Sequence, residues 1–377
     1  RDSVASRGLG DVYKRQIILL MITTVIGSYP KPHYLKITDW FNATGGTDTE
    51  NPTKYYEEEI KKMGNEIEEI FIRATKDVIK DQEDCGIDII TDGEVRRENY
   101  IHYHCRHLNG IDFSNLSEKT ARTGNYKCWL PTIVSRVEAQ DSFLVHDWKV
   151  AQKVSPKPVK ITIPGPMTIA DTIANTHYTS DDKMGFDLAE VINVEIKRLQ
   201  KAGCKYIQVD EPLFARKPQQ AIDFGINNLA KCFDGLENTD SEKITHICCG
   251  YPDKLDAVNY PKAPLNSYHQ IASLLDQSII DTVSLEDAHR YNDLSLLENF
   301  SKTKIIFGLI KIASSKIETV QEIQSRVNDA LKHIDSDRMI AAPDCGLGHL
   351  PRGLAKTKLH TMAVSYTHLT LPTNREV

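Results

Sequence analysis

The chain has 377 residues, of which 40% are hydrophobic and 26% charged, so it can bury a full core without disulfide support. A formal net charge of −6, with no basic stripe along the chain, argues against a nucleic-acid-binding protein. Eight cysteines are too sparse for a disulfide framework in a chain of this length and indicate a reducing compartment, which we take to be the cytoplasm.

The two ends of the chain are excluded from the fold prediction. Residues 1–20 and 365–377 resemble translated sequencing-adapter sequence, so we interpret residues 21–364 as the native domain. The apolar run Ile17 to Ile26 imitates a short signal peptide, but no small-residue cleavage site follows it. We therefore predict neither a signal peptide nor a membrane segment.

Eight apolar runs of strand length follow one another along the chain, and each is closed by Gly, Pro, Asp or Glu. The predicted strands are Thr23 to Ser28, Asp88 to Thr91, Val159 to Ile163, Tyr206 to Val209, Ile244 to Cys248, Thr282 to Leu285, Ile305 to Ile310 and Met339 to Ala342. Helical patterns lie between them, as in Tyr55 to Asp84, Lys183 to Ala202, Ser267 to Gln277 and Glu318 to His333. Apolar strands that alternate with helices predict a buried parallel sheet, and eight such units predict an α/β fold, a (β/α)8 TIM barrel.

An open doubly wound sheet is the main alternative fold. Its usual ligand signature, Gly-x-Gly-x-x-Gly, does not follow the first predicted strand. We interpret Tyr126 to Val137 as a small extra hairpin and Trp40 to Asn51 as an irregular insertion. Because no low-complexity linker separates parts of the chain, the prediction is a single barrel domain with a small extra hairpin.

Polar side chains of ligand type follow most of the predicted strands. They are Ser28, Glu94, Asp210, Glu211, His246, Cys248, Glu286, Asp344 and Cys345. Barrel enzymes build their sites from the loops at the carboxyl ends of the strands. The barrel therefore predicts that these scattered side chains converge.

Two of these side chains, His246 and Cys248, lie two residues apart on one predicted strand and so point to the same face. Imidazole and thiolate suit zinc, and Glu286 and Cys345 from later strand ends would complete a tetrahedral set. A thiol substrate could displace a ligand or add to the set and become a nucleophilic thiolate. On its own His-x-Cys is a weak motif, because buried cysteines are common in cores, Glu286 could be satisfied by a basic neighbour and Cys345 could belong to a structural turn.

These residues belong to a larger set of motifs. The motifs are Ile26-Gly27-Ser28, Asp92-Gly93-Glu94 with Arg97, Pro164-Gly165-Pro166-Met167-Thr168, Ile207-Gln208-Val209-Asp210-Glu211-Pro212, His246-Ile247-Cys248, Glu286 and Pro343-Asp344-Cys345-Gly346-Leu347. With them, the chain from about Thr23 to Val364 resembles the C-terminal catalytic barrel of cobalamin-independent methionine synthase and its short single-barrel relatives. The resemblance implies a zinc cofactor whose four ligands fall on His246, Cys248, Glu286 and Cys345.

The resemblance also implies a homocysteine site. Backbone groups of Ile26, Gly27 and Ser28 would hold the carboxylate, and Glu94 and Asp210 would act as the catalytic pair that orients the ammonium. Two acids beside one site favour a bound cation, which agrees with this assignment. The alternative for Asp210 and its neighbour Glu211 is a strand end that is hydrogen-bonded to nearby loops.

Two positions depart from the family pattern. The pteridine-stacking tryptophan expected after the Gly-Pro turn appears as Thr172, so a folate ring would lose its platform. The proton-donating histidine expected near the seventh strand appears as Ala313. These two changes affect the prediction of the methyl donor more than the prediction of the reaction class. The donor stays open among methyltetrahydrofolate, a corrinoid and another small methylated compound.

The leading hypothesis is a cytoplasmic zinc-dependent methyltransferase that forms methionine from homocysteine. Its partners would be a small-molecule thiol and a methyl donor, with a corrinoid protein as one candidate donor; the oligomeric state is not predicted. A second hypothesis is a thiol alkyltransferase that acts on coenzyme M and an epoxide, which Arg96, Arg97 and Lys311 favour and Glu94 and Asp210 oppose. A third is a catalytically idle barrel that stores or senses a metal or binds a metabolite.

Overall fold

Strands and helices alternate along the chain in the computed structural model, which describes residues 21–42, 46–47, 50–121, 126–252, 254–257 and 260–367. The strands, in chain order, are β1 Phe41–Asn42, β2 Gly46–Thr47, β3 Ile90–Thr91, β4 Leu108–Ala121, β5 Tyr126–Ala139, β6 Val159–Pro164, β7 Ala174–Asn175, β8 Tyr206–Asp210, β9 Glu242–Ile247, β10 Thr282–Leu285, β11 Lys304–Ile310 and β12 Met339–Pro343. The α-helices are α1 Asn51–Met63, α2 Glu66–Asp84, α3 Tyr100–Arg106, α4 Leu144–Val154, α5 Pro166–Thr172, α6 Asp181–Ala202, α7 Leu213–Arg216, α8 Pro218–Gln220, α9 Ile226–Cys232, α10 Ser267–Gln277, α11 Val320–Ala330 and α12 Arg352–Thr367. A π-helical turn covers Ala221–Gly225, and 3-10 turns cover Leu294–Asn299 and Ser336–Arg338.

Seven parallel strands form one sheet in the order β3-β6-β8-β9-β10-β11-β12. The first predicted strand is reduced to two bridges, in which Thr23 pairs with Ala341 of β12 and Thr24 pairs with Ile89 beside β3. This segment joins the two edges of the sheet, and a closed parallel sheet wrapped by helices is the predicted TIM barrel. The fold prediction is therefore confirmed.

The barrel strands are buried on both faces, as the continuous apolar runs predict. Every residue of β6, β10 and β12 is buried. The inner face is filled by a small cluster that consists of Ile26, Ile244, Ile306, Ile340 and Ala342. The outer face packs against the helices in the main core, so the barrel interior is solid below the level of the site.

Glycines decide where two of the helices end. The pattern from Tyr55 to Asp84 predicts one helix, but α1 ends at Gly64, whose φ of +56° favours glycine, and α2 starts afresh. Helix α6 begins behind Ser180, whose side chain accepts from the amide of Lys183, and ends at Gly203 with φ of +100°. The predicted helix Lys183 to Ala202 agrees with α6, whereas the predicted helix Tyr55 to Asp84 is split into α1 and α2.

Two additions decorate the barrel. The prediction that Tyr126 to Val137 forms a hairpin by itself is wrong, because this segment is one strand, β5. It pairs antiparallel with β4, and β7 adds to its other side; the polar sequence of β4 concealed the second strand of the hairpin. The predicted irregular insertion contains the short pair β1 and β2.

The excluded leader, residues 1–20, and residues 368–377 lie outside the described residues, and α12 continues to Thr367. The interpretation of both ends as non-native stays a prediction. Among the helices of the described residues, none combines the length and the apolar character that a membrane crossing requires.

Candidate active site

A cavity of about 510 Å³ opens at the carboxyl ends of the barrel strands. Its lining includes every predicted site residue except Glu286, namely Ile26, Gly27, Ser28, Glu94, Asp210, His246, Cys248 and Cys345. The barrel thus brings together side chains that lie far apart along the chain.

A nitrogen and two sulfurs form a compact polar cluster in the lining of the cavity. Ligand atoms of His246, Cys248 and Cys345 all lie within 4.8 Å of one another, and the Nε2 of His246 is 3.4 Å from the Sγ of Cys345. The Nδ1 of His246 is 2.9 Å from the hydroxyl of Ser284, its neighbour in register on β10, which leaves Nε2 for the thiols. Hydrogen bonding from Cys345 lowers the pKa of the Cys248 thiol well below its usual range.

The chemistry of this cluster fits zinc. One imidazole and two thiols are soft or borderline ligands, which zinc accepts and which magnesium and calcium avoid. Catalytic zinc sites hold the ion with three protein ligands and keep a fourth position for water or substrate. The three side chains supply that number, and the histidine already has the outer hydrogen bond that fixes such ligands.

Glu286, the predicted fourth ligand, is held elsewhere in the structure. Its Oε2 accepts from the amide of Cys249 at 2.9 Å, and its Oε1 contacts the ammonium of Lys262. Both side chains are largely buried, with 3% of Glu286 and 16% of Lys262 exposed. Burial raises the pKa of Glu286 to about 7. The structure thus pairs this carboxylate with a lysine, and the prediction that Glu286 binds zinc stays a prediction.

A second group of possible ligands consists of Glu286, His289 and Asp344, of which the last two are joined by a hydrogen bond. The amide of Ala313 donates to the Nε2 of His289 at 3.1 Å, so Nδ1 carries the proton and donates to Asp344 at 2.7 Å. Asp344 also accepts from the amides of Asp287 and Ala288, at 2.9 and 2.8 Å. These bonds hold the loop after β10 and leave neither ring nitrogen free for a metal.

Glu94 sits on a strained turn that aims its carboxylate into the cavity. Its φ of +57° lies in the left-handed region, which is uncommon for a non-glycine residue and frequent at functional sites. The carboxylate accepts from the hydroxyl of Thr162 at 2.8 Å and from Arg97 at 3.3 Å. Burial raises the pKa of Glu94. A Cβ atom at Gly27 would stand 2.6 Å from the Oε1 of Glu94, so a larger residue there would displace this carboxylate.

Asp210 ends β8 and faces the same cavity. Gln208 donates to its carboxylate at 2.7 Å, and burial raises the pKa of Asp210 to about 7, with Glu94 adding to the rise. A cation bound between the two acids would favour their charged forms. Its neighbour Glu211 instead accepts from the amides of Met167 and Thr168, at 2.9 and 3.0 Å. For Glu211 the alternative therefore applies, in which a strand end is hydrogen-bonded to a nearby loop.

The segment Ile26 to Ser28 lines the cavity with its backbone. The carbonyl of Ile26 accepts from Gln208 at 2.7 Å and that of Gly27 from the hydroxyl of Thr91 at 2.8 Å. The carbonyl of Ser28 accepts from the amide of Leu347 at 2.7 Å. Since these acceptors are already used, amide groups are what the segment can offer to a ligand, and amides suit a carboxylate.

An aromatic wall, formed by Trp40, Tyr100 and Tyr251, lines the cavity together with Thr172. The Trp40 and Tyr251 rings stack at 5.7 Å and 28°, and Tyr100 lies 5.9 Å from Trp40. The predicted loss of an aromatic platform at Thr172 is therefore accompanied by aromatic rings from other loops.

Sequence reasoning missed several of these residues. Ser284 is the third residue of its predicted strand and His246 the third of the preceding one, so parallel pairing could have placed the two side by side. Lys262 and Trp40 lie in loops outside any periodic pattern, and nothing in the sequence marks them.

Known proteins resemble the whole domain. Residues 21–366 match the family described as "Cobalamin-independent synthase, Catalytic domain". A methionine synthase from Sulfolobus acidocaldarius is 29% identical over 353 residues, covering 92% of this chain and 91% of the relative. One from Saccharolobus solfataricus is 30% identical over 348 residues, covering 91% of this chain and 93% of the relative. The structure of a B12-independent methionine synthase from Shewanella sp. W3-18-1, in complex with selenomethionine, is 31% identical, with a TM-score of 0.79 and coverage of 92% of this chain and 97% of that one.

Proposed function

The chain belongs to the cobalamin-independent synthase catalytic-domain family, and from this premise we propose that it transfers a methyl group to the thiol of homocysteine and forms methionine. The names of its relatives support the reaction. The observation that carries the proposal is the meeting of one nitrogen, two sulfurs and two buried acids in one cavity. An aminothiol has a sulfur for the cluster of one nitrogen and two sulfurs and an ammonium for the two acids, so it would use both parts of the site.

The sulfur of the substrate is placed at the ligand cluster. We propose that His246, Cys248 and Cys345 hold zinc, with Glu286 as the ligand that the family adds. Zinc bound there would keep a coordinated thiol as a thiolate at neutral pH, the form that attacks an alkyl carbon. Ser284 fixes the imidazole through its hydrogen bond to Nδ1, so the ring cannot turn away.

The amino-acid end of the substrate is placed at the acids. Glu94 and Asp210 accept the ammonium, and their charged forms become favoured when it binds because a cation offsets the cost of burial. The amides of the segment Ile26 to Ser28 receive the carboxylate. When both ends of the substrate are fixed, its sulfur can attack the methyl carbon from one direction only. This alignment is the main contribution that positioning makes to a displacement reaction.

Methyl transfer then forms the S–CH3 bond as the bond between methyl and donor breaks in line with it. The donor would enter along the aromatic wall, where Trp40 and Tyr251 offer a flat apolar surface beside the sulfur site. This favours a donor with a flat ring over a small aliphatic one, and a corrinoid protein stays the alternative. Location in the cytoplasm also stays a prediction.

The coenzyme M alternative is not favoured. It needs free cations for a sulfonate, but Arg96 pairs with Glu68 at 2.6 Å and with Asp147 at 3.3 Å. Arg97 donates to Glu94 and to the hydroxyl of Thr162 at 3.3 and 2.9 Å. Arg96 is therefore paired with two carboxylates, and the Nη1 of Arg97 is bonded to Glu94 and Thr162.

Homocysteine turnover tests the proposal. Purified protein loaded with zinc is given homocysteine with methyltetrahydrofolate, methylcobalamin or S-methylmethionine, and methionine is measured by mass spectrometry. We expect methionine with at least one donor and a loss of more than about 100-fold in the variant Cys345→Ser, since a lost ligand should cost at least as much as a lost outer partner. Cys204→Ser, a buried cysteine before β8, is the matched control. Absence of methionine with every donor, or full activity of Cys345→Ser, contradicts the proposal.

A further inference from the structure

The hydroxyl of Tyr100 is a feature of the cavity wall that the proposed reaction leaves unused. We propose that Tyr100 is a catalytic residue that gives its hydroxyl proton to the donor nitrogen from which the methyl group departs. The inference rests on the proposed function. It also commits the donor to one chemical class, a flat ring that carries the methyl group on a nitrogen.

A nitrogen that loses its methyl group in this reaction needs a proton. As the S–CH3 bond forms, the N–CH3 bond breaks and its electron pair stays on the nitrogen. An uncharged tertiary amine would leave as a strongly basic anion, which is a poor leaving group unless an acid protonates it in the same step. Tyr100 supplies that proton, and its phenolate recovers one from water. The proton that the substrate thiol released on becoming a thiolate balances the reaction.

Tyr100 belongs to the aromatic wall, along which the donor is proposed to enter. Its ring centre is 5.9 Å from that of Trp40, and both residues line the cavity together with Asp210 and Cys248. In the part of the chain that the structure describes, its hydroxyl makes no hydrogen bond to another residue. Burial and the nearby Asp210 raise the pKa of Tyr100 well above its usual value, so the hydroxyl keeps its proton until a stronger base forms beside it.

The backbone that carries this side chain is firmly held. Tyr100 is the first residue of α3, and the side chain of Asn99 accepts from the amides of the two residues that follow Tyr100, at 2.8 and 3.1 Å. The amide of Trp40 donates to the carbonyl of Glu98 at 2.8 Å, which ties the aromatic wall to the same segment. A proton donor held in this way is in place before the methyl donor arrives.

Most other proton-bearing side chains of the cavity wall are already bonded. Tyr251 and Thr172 donate their hydroxyl protons to backbone carbonyls, at 3.0 and 2.5 Å. The ammonium groups of Lys119 and Lys217 are both bound to Asp171, at 2.5 Å. Tyr100 therefore offers a hydroxyl proton that no other contact holds.

The two histidines that line the cavity are unsuited to this role. His246 belongs to the ligand cluster, and its Nδ1 is bonded to Ser284. The Nδ1 of His102 is 2.7 Å from the hydroxyl of Thr53, and burial lowers the pKa of His102 to about 3. An imidazole with so low a pKa carries no extra proton at neutral pH.

The variant Tyr100→Phe tests the inference, because it removes the hydroxyl and keeps the ring. Protein loaded with zinc is given homocysteine and methyltetrahydrofolate, and methionine is measured by mass spectrometry under single-turnover conditions. We expect the rate to fall about 100-fold, the scale of general acid catalysis, while the KM for homocysteine and the bound zinc stay within about twofold. Tyr55→Phe, the same change at an exposed position of α1, should behave as wild type.

Two further readouts separate proton transfer from positioning of the donor. The leaving group of methylcobalamin takes no proton, so with this donor Tyr100→Phe should keep the wild-type rate within about twofold. With methyltetrahydrofolate, the single-turnover rate of the wild type should be lower in D2O than in H2O, because a proton moves as the methyl group leaves. Thermal melting followed by circular dichroism checks that the variant folds.

Three results overturn the inference and leave the proposed function standing. The first is a full rate of Tyr100→Phe with methyltetrahydrofolate, or a loss that is equal with both donors. The second is a wild-type rate that is the same in both waters. The third is wild-type turnover with methylcobalamin or S-methylmethionine but not with methyltetrahydrofolate, since neither of those leaving groups takes a proton. Absence of methionine with every donor overturns the proposed function as well.

Discussion

At the scale of single residues, the side chains of the site are held by partners on neighbouring strands. Ser284 on β10 faces His246 on β9 in register, and Gln208 precedes Asp210 by two residues on β8. Thr162 on β6 binds Glu94 from the adjacent loop. Because these partners belong to the rigid barrel, the reacting groups keep their directions before substrate arrives.

Lys160 is a buried charge inside the barrel that the mechanism does not use. It is 0% exposed, its ammonium has no hydrogen-bond partner among the described residues, and burial lowers its pKa to about 7. In the unfolded chain the pKa of Lys160 is 10.5, so the unfolded state binds this proton more readily than the folded state does. The folded state therefore loses stability as pH falls from 10.5 to 7, and the full loss persists below pH 7.

Replacing this lysine should therefore stabilise the protein. We expect Lys160→Met to raise the Tm, with a larger gain at pH 7 than at pH 10, measured by calorimetry at both values. The matched control is Lys153→Met on the exposed side of α4, which should show no such pH dependence. A variant that is less stable than wild type at pH 7 would mean that the ammonium has a stabilising role.

At the scale of elements, the walls of the cavity are formed in part by the two segments added to the barrel, the insertion before α1 and the hairpin of β4 and β5. Trp40 comes from the insertion before α1, and Lys119 and Leu130 come from the hairpin of β4 and β5. The ligand cluster and the two acids come from the strand ends, while the additions supply part of the surrounding wall.

The variant Trp40→Leu tests the role of the aromatic wall. Loss of one stacked ring costs about 1 kcal/mol, so we expect the KM for the donor that supports turnover to rise about fivefold. The KM for homocysteine should stay within about twofold, since the hydrogen bonds to Glu94 and Asp210 come from Thr162, Arg97 and Gln208 and none comes from the ring. Tyr55→Leu, an exposed aromatic on α1, is the control. A change in the KM for homocysteine alone would assign the wall to the other substrate.

At the scale of the whole molecule, the ligand cluster exists only when the barrel is closed. His246 and Cys345 are 99 residues apart in the chain, on β9 and after β12. An unfolded chain cannot present both to one ion, so binding of the proposed zinc would be coupled to folding.

Removal of the metal should therefore lower the stability of the protein. Zinc at about 100 times its Kd adds about 2.7 kcal/mol, so we expect a chelator to lower the Tm by several degrees. The measurement is differential scanning calorimetry with and without zinc. Cys345→Ser should melt at one temperature in both conditions. An equal zinc-dependent shift in Cys345→Ser would locate the metal elsewhere.

The sequence by itself determined the barrel and the meeting of the site residues. A short run of strand-forming residues that is closed by Glu286 predicted β10 to the residue, Thr282–Leu285. The two-residue repeat of a strand put His246 and Cys248 on one face, and parallel strands bring their carboxyl ends to one rim. These inferences need only local periodicity and the handedness of the fold.

Only the tertiary structure shows which other residues of the chain contact the site residues. The break at Gly64, the aromatic wall at Trp40 and the pairing of Glu286 with Lys262 all depend on loops, which have no repeat from which position can be deduced. A buried carboxylate binds whichever cation the packed chain places within reach, and that distance is set by contacts between segments far apart in sequence. The sequence therefore determines that Glu286 needs a positive partner, and the folded structure determines that Lys262 is at hand.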